Sequence, residues 1–173
     1  MPRLTSFPPI ASPDARVLVL GSMPGEESLR RQQYYAHPQN AFWPIMGELF
    51  SAGADLPYPE RTGRLREAGV AVWDVLKHCR RAGSLDASIE SKTIVANDFL
   101  AFFAEHSRIR VVFFNGRKAE EMFRRRVLPE LGAAAAELSR HLLPSTSPAY
   151  ASLSRGEKLD RWRVVREVFQ VQP

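Results

Sequence analysis

The sequence predicts an α/β domain built on a mainly parallel, four-stranded sheet covered on both faces. Three observations lead there. Apolar runs suited to buried strands recur at Val17-Leu18-Val19-Leu20, across residues 70–75, from Val111 onward and near residues 138–143. Such runs fit strands that water reaches from neither face. Between them lie segments with apolar residues on helical spacing, and that alternation marks parallel β–α–β units. The chain has 173 residues, enough for one sizeable core, and no repeat or low-complexity stretch divides it, so residues 1–173 read as one domain.

Each element follows from local chemistry. Residues 1–15 hold four prolines and read as an extended lead-in that Leu4 and Phe7 pin to the body. Residues 16–20 form the first strand. Gly21-Ser22-Met23-Pro24-Gly25 breaks it as a tight turn, and Glu26-Glu27 suit the first turn of a helix over 26–33. Residues 32–40 read as a polar and aromatic loop. Phe42, Ile45, Met46, Leu49 and Phe50 share one face of a helix over 42–50, with Pro44 tolerated in its first turn. A loop over 51–59 leads to a charged helix over 60–68 that Gly69 closes. The second strand covers 70–75, and residues 76–91 read as a basic connector. Asn97 caps a helix carrying Phe99, Leu100, Phe102 and Phe103. The third strand lies in 108–114. Asn115-Gly116 turns it into a helix that buries Ala119, Met122, Phe123 and Val127, and residues 129–136 link to the fourth strand. His141 in that strand reads as a core histidine. The last helix, over 154–169, buries Leu159, Trp162, Val165, Val168 and Phe169.

Composition narrows the function. Lys and Arg number 24 against 19 for Asp and Glu, a net charge of +5 that is compatible with a polyanionic partner. Cys79 is the single cysteine, and His37, His78, His106 and His141 fall in no metal-ligand spacing, so no metal or other cofactor is expected. The N-terminus does not read as a signal peptide, and no stretch reaches the ~18 apolar residues a membrane span needs. A cytoplasmic monomer without a membrane partner is the expectation.

Three strand ends carry candidate chemistry: residues 21–25, Trp73-Asp74 and residues 143–150. A parallel sheet opens them on one edge, where open α/β sheets place ligands. The first turn lacks GKS and GxGxxG signatures, which leaves an idle turn or an anion-binding loop open. The late loop sets Ser145, Thr146 and Ser147 between Pro144 and Pro148, hydroxyls suited to phosphate oxygens or simply a stiff turn. His37-Pro38-Gln39-Asn40-Ala41-Phe42-Trp43 places an amide beside two aromatics. By residue type alone Asn40 is either a loop cap or a reactive amide, Phe42 and Trp43 are core or stacking residues, and Asp74 is a turn cap or a ligand reader. Lys77, Arg80, Arg81, Arg117 and Lys118 are candidate phosphate contacts on an otherwise solvated face.

GSMPG, HPQNAFW, GVAVWDVL and LPSTSP, in this order, resemble the uracil-DNA glycosylase superfamily, and most closely its hypoxanthine-DNA glycosylase branch. The resemblance covers about residues 14–165 and implies a small α/β/α sandwich with a central parallel sheet. It implies that Asn40 is catalytic, that Phe42 stacks on the flipped base and that Asp74 reads it, with Ser22 and Met23 lining the same site. Pro24, Gly25, Ser145, Thr146, Ser147, Pro148 and Tyr150 would touch DNA, and Pro148, Ala149 or Tyr150 would fill the space the base leaves. Two positions depart from the family pattern: Met23 stands where the best-known branch has a catalytic Asp, and Leu143 where it has a His. The expected activity is monofunctional removal of deaminated bases, hypoxanthine and possibly uracil, from double-stranded DNA. Both bases show a ring N–H beside a carbonyl, and a carboxylate accepts that hydrogen. No lysine sits in the four motifs, so no lyase step is expected. Two other readings compete: a damaged-DNA-binding domain without catalysis, and an α/β enzyme acting on free nucleosides.

Overall fold

A computed structural model describes residues 1–170; the last three residues of the expected domain lie outside the described part. Fourteen regular elements follow in order: β1 (Leu4–Thr5), β2 (Val17–Gly21), α1 (Glu26–Arg31), α2 (Phe42–Phe50), α3 (Tyr58–Ala68), β3 (Val70–Asp74), β4 (Leu76–Cys79), β5 (Val95–Ala96), α4 (Phe99–Glu105), β6 (Val111–Asn115), α5 (Arg117–Met122), α6 (Leu128–Leu131), β7 (Ser139–Leu143) and α7 (Arg155–Glu167). A π-helical turn joins α5 to α6, and a 3-10 stretch over Gly132–Glu137 precedes β7.

The main sheet has the order β3-β2-β6-β7, with every pair parallel. Every residue of β2 and β3 is buried, because helices cover both faces. That explains why the two strands read as unbroken apolar runs. Register places Gly21 beside Asp74 and Asn115 beside Leu143, so all four strands end on one edge.

Helix boundaries follow turn chemistry. Gly69 ends α3 at φ +83°, a left-handed position that favours glycine, and its carbonyl accepts the Arg16 amide at 2.8 Å, tying the helix end to the start of β2. Ser154 caps α7 by accepting the Glu157 amide at 3.1 Å. The cap of α4 is Asp98, which accepts from the Ala101 amide, rather than Asn97. The Asn97 carboxamide instead donates to the Asp74 and Leu76 carbonyls, bracing the end of β3.

A second, antiparallel sheet of order β1-β4-β5 was not foreseen. It captures the N-terminal lead-in and part of the stretch read as a connector. Ile10 also exchanges both backbone hydrogen bonds with Val72, and the buried Phe7 offers its carbonyl to the Trp73 indole at 3.1 Å. The fourth strand differs from expectation in one respect. β7 lies at the sheet edge with Ser139 to Leu142 exposed, so His141 is a surface residue paired with Ser139 at 2.7 Å and not a core histidine.

Candidate active site

The floor of the site is the end of the β2–β3 pair. Asp74 closes β3 and is 3% exposed. A Cβ placed on Gly21 would lie 2.5 Å from Asp74 Oδ1 and 2.9 Å from the Tyr35 hydroxyl oxygen, so glycine is required for the close approach of both groups. Asp74 Oδ2 and the Tyr35 hydroxyl are both buried without a hydrogen-bond partner among the described residues. Unpaired buried polar atoms are rare in folded proteins and often mark a place a ligand or water completes. Burial, helped by the nearby Asp86 carboxylate and opposed by Arg81, pushes the Asp74 carboxyl up to about 7.

The basic connector supplies residues the sequence did not single out for this place. Asp86 accepts the Ser22 hydroxyl at 2.5 Å, and its own carboxyl is raised chiefly by burial. Arg81, 4% exposed, donates to the Pro24 carbonyl at 2.6 Å and to the Gly83 carbonyl at 2.8 Å. Ser84 Oγ accepts the Glu26 amide at the start of α1. The segment thus folds over the first turn and ties it down. It also corrects two expectations. Arg81 braces the interior and is not a phosphate contact. Pro24 is buried, with its carbonyl engaged, and presents no surface to DNA. Met23, 7% exposed, packs into the hydrophobic core beside the turn. Of the two readings open for the turn, the bond from the leading amide of α1 to Ser84 favours the idle one.

The wall is aromatic. Phe42 is wholly buried, and the Tyr35 ring stacks on it at 4.1 Å and 29°. Trp43 is also buried, its indole N–H held by the Tyr34 carbonyl at 2.7 Å and one face covered by the Arg61 guanidinium. Phe42 thus lies behind the half-buried Tyr35, whose ring covers one of its faces. Tyr35 holds φ at +52°, a strained region for a bulky side chain that costs about 1–3 kcal/mol. Asn115 approaches its hydroxyl but not in hydrogen-bonding geometry.

Asn40 borders this wall. Its Oδ1 accepts the Phe42 amide at 2.9 Å, which caps the start of α2 and aims the side chain. An amide oxygen has two lone pairs, so one remains for a water molecule. Asn40 touches the Phe42 amide, Phe42 stacks on Tyr35, and the Tyr35 hydroxyl and Asp74 both close against Gly21, so the four lie near one another between the α2 start and the sheet edge. His37 sits on the exposed side, its Nδ1 accepting the Gln39 amide at 3.1 Å, a structural bond.

The late loop is anchored at its base and open at its tip. Asn115 donates to Thr146 Oγ1 and accepts the Thr146 amide, both at 2.9 Å, while the Thr146 carbonyl accepts the Ala41 amide at 3.0 Å. Thr146 is 1% exposed, so it is an internal brace and offers no hydroxyl to DNA. Ser145 and Ser147 are half-buried, and Pro148, Ala149 and Tyr150 are exposed. Trp162 donates to the Pro144 carbonyl at 2.9 Å. Lys158, 5% exposed, donates to the Ser147 carbonyl at 3.0 Å and lies under the Tyr150 ring; desolvation lowers its pKa. A lysine remote in sequence thus does reach this loop.

An α/β/α domain with an amide, a buried carboxyl and a stacked aromatic wall at the carboxyl edge of its sheet is built to hold a flat, polar-edged group. Comparison with known proteins gives the family. The sequence pattern of the uracil DNA glycosylase superfamily matches residues 8–169, and the chain belongs to that superfamily. A hypoxanthine DNA glycosylase of Methanosarcina acetivorans is 34% identical over 160 residues, covering 92% of this chain and 95% of the relative. A hypoxanthine DNA glycosylase of Methanosarcina barkeri is 36% identical over 118 residues, covering 66% of this chain and 72% of the relative. The solution NMR structure of a candidate uracil DNA glycosylase from Methanosarcina acetivorans superposes with a TM-score of 0.79 at 31% identity, over 98% of this chain and 99% of the other. No helix among the described residues is long and apolar enough to cross a membrane.

Proposed function

We propose that this protein is a monofunctional DNA glycosylase that removes hypoxanthine, with uracil as a second candidate substrate, from double-stranded DNA, acting as a monomer. The observation that supports the reading is the neighbourhood of four groups near the sheet edge: Asn40 bonded to the Phe42 amide, Tyr35 stacked on Phe42, and the Tyr35 hydroxyl and the Asp74 carboxyl both close against Gly21. The relatives named for hypoxanthine release support the choice of base.

The chemistry follows from charge. Breaking the bond between the base and C1′ leaves positive character on the sugar and sends an electron pair to the base. Asn40 is no proton acceptor of useful pKa, so it positions the water whose oxygen bonds to C1′ while that water's proton leaves for the base or solvent. The rate then rests on stabilising the leaving base, and turnover is slow. The target must leave the helix stack, which costs a few kcal/mol, least at a mismatch. Stacking on an aromatic ring such as Tyr35 offsets about 1–3 kcal/mol.

The test uses duplexes carrying a single deoxyinosine or deoxyuridine, followed by alkali. Strand cleavage at deoxyinosine is expected; none at either base would refute the proposal. Release of hypoxanthine from free deoxyinosine would move the assignment to a nucleoside enzyme. Asn40→Ala should lower excision by about tenfold or more with damaged-duplex affinity nearly unchanged. The lost cap costs about 1 kcal/mol of stability, so the variant remains measurable.

A further inference from the structure

Asp74 stands in a place unsuited to a charged carboxylate. Oδ2 has no partner, Oδ1 faces the Gly21 Cα, and the Asn97 carboxamide bonds only the backbone carbonyl. The groups that face Asp74 come from three directions. From the end of β2 come Gly21 and Ser22, which carry no charge. From the 32–40 loop comes the Tyr35 phenol, with Tyr34 of the same loop and Tyr58 of α3 farther out, all raised in pKa and neutral. From the folded-over segment come Asp86, a like charge, and Arg81, whose Nε and Nη2 bond the carbonyls of Gly83 and Pro24 and whose Nη1 is buried without a partner among the described residues, close enough to oppose the rise at Asp74 but not bonded to it. A carboxylate taken out of water without a dedicated partner costs several kcal/mol.

The reaction makes the charge the wrong sign as well. The departing base gains negative charge, which a carboxylate repels and an O–H group stabilises. Building on the assignment above, we infer that Asp74 works as a neutral carboxylic acid, donating its O–H to a carbonyl oxygen of the flipped base while Asp86, held by Ser22, keeps the proton on Asp74. As the C1′–N bond breaks, its electron pair spreads toward the oxygen that Asp74 holds. The acid proton stays on Asp74, and the base takes up the proton released by the attacking water. The upward push on the Asp74 carboxyl to about 7 agrees with this geometry. Asp86 is thus a positioning residue that acts through Asp74.

The experiment is the pH profile of kcat/KM on a deoxyinosine duplex for the full-length protein, Asp74→Asn and Asp86→Asn. Wild type should fall about tenfold per pH unit above about 7. Asparagine mimics the neutral acid, with an N–H donor beside an oxygen. Asp74→Asn should therefore stay within about tenfold of wild type near pH 6 and lose the alkaline fall. Asp86→Asn should move the fall to lower pH. A wild-type profile flat to about pH 9, with Asp74→Asn down about 100-fold throughout, would overturn the inference. An unmoved limb in Asp86→Asn would overturn the role of Asp86. Should a variant fail to fold, carbon-13 titration of the Asp74 carboxyl in wild type decides the matter: a transition near pH 4 refutes the neutral acid. Absence of excision at every pH would instead refute the glycosylase assignment, and the titration would still report the protonation state.

Discussion

Two loops leave the same edge of one parallel sheet and are built in opposite ways. The turn after β2 is roofed. Arg81, Ser84 and Asp86 close over it, and Ser22, Met23 and Pro24 are all buried. The loop after β7 is rooted but uncovered. Asn115, Trp162 and Lys158 hold its base, while Pro148, Ala149 and Tyr150 stand in solvent. Water exclusion strengthens the electrostatics a reacting base needs. A fixed base with a free tip suits a wedge that enters a DNA groove, since a pre-ordered loop costs less to immobilise on binding. Under the proposed function one edge would be divided between chemistry and grip, and each half can be broken separately.

The largest effect belongs to the roofed side. Gly21→Ala puts a methyl group 2.5 Å from Asp74 Oδ1 in a packed interior. The carboxyl and the Tyr35 hydroxyl must both shift. Excision should fall about 100-fold, with a stability loss of about 1–3 kcal/mol by thermal melting. Duplex affinity, which depends on the other loop, should change far less. An active Gly21→Ala enzyme would mean that the end of the β2–β3 pair takes no part in reading the base.

These two halves were unequally legible in the sequence. The parallel strands could be read because burial on both faces leaves only apolar residues, and Gly69 could be read because its left-handed turn needs glycine. β4 could not, since only the end residues Leu76 and Cys79 are buried, with no alternation between them, and the strand pairs with a lead-in far away in the chain. Asp86 and Lys158 were invisible, and Arg81 reads as a phosphate contact, for a related reason. A charged side chain is solvated by default, and only tertiary contacts reveal that three of them line the loops. Tyr35 was hidden inside a stretch read as polar loop, while Phe42 carried the helical spacing that drew attention to it. That spacing marked a core residue, and the Tyr35 ring rests on it. Asn97 and Asp98 are both good cap residues, and the demand of the Asp74 carbonyl for a donor decides between them.

A smaller effect comes from the root of the late loop. Lys158→Met keeps the apolar stem and removes the ammonium from the Ser147 carbonyl. KM for the deoxyinosine duplex should rise about five- to tenfold with kcat within about twofold, because the chemistry lies under the other loop. Lys158→Arg should restore part of the loss. An unchanged KM with a raised melting temperature would show that the buried charge is only a burden on the fold.

The smallest effect belongs to the tip. Tyr150 is 39% exposed, and its ring centre lies 5.5 Å from the Lys158 ammonium. Truncation of a side chain so exposed should leave stability within about 0.5 kcal/mol. If the ring enters the groove, Tyr150→Ala should still weaken duplex binding about fivefold, measured by fluorescence anisotropy, while Tyr150→Phe should bind like wild type because the wedge works through its apolar face. The contrast with Gly21→Ala is what gives the measurement its force. One variant should lose excision and keep affinity, the other should lose affinity and keep single-turnover excision at saturating protein. Two variants that lose both in proportion would mean that the roofed turn and the open loop act as one unit, and the division of labour along the sheet edge would be wrong.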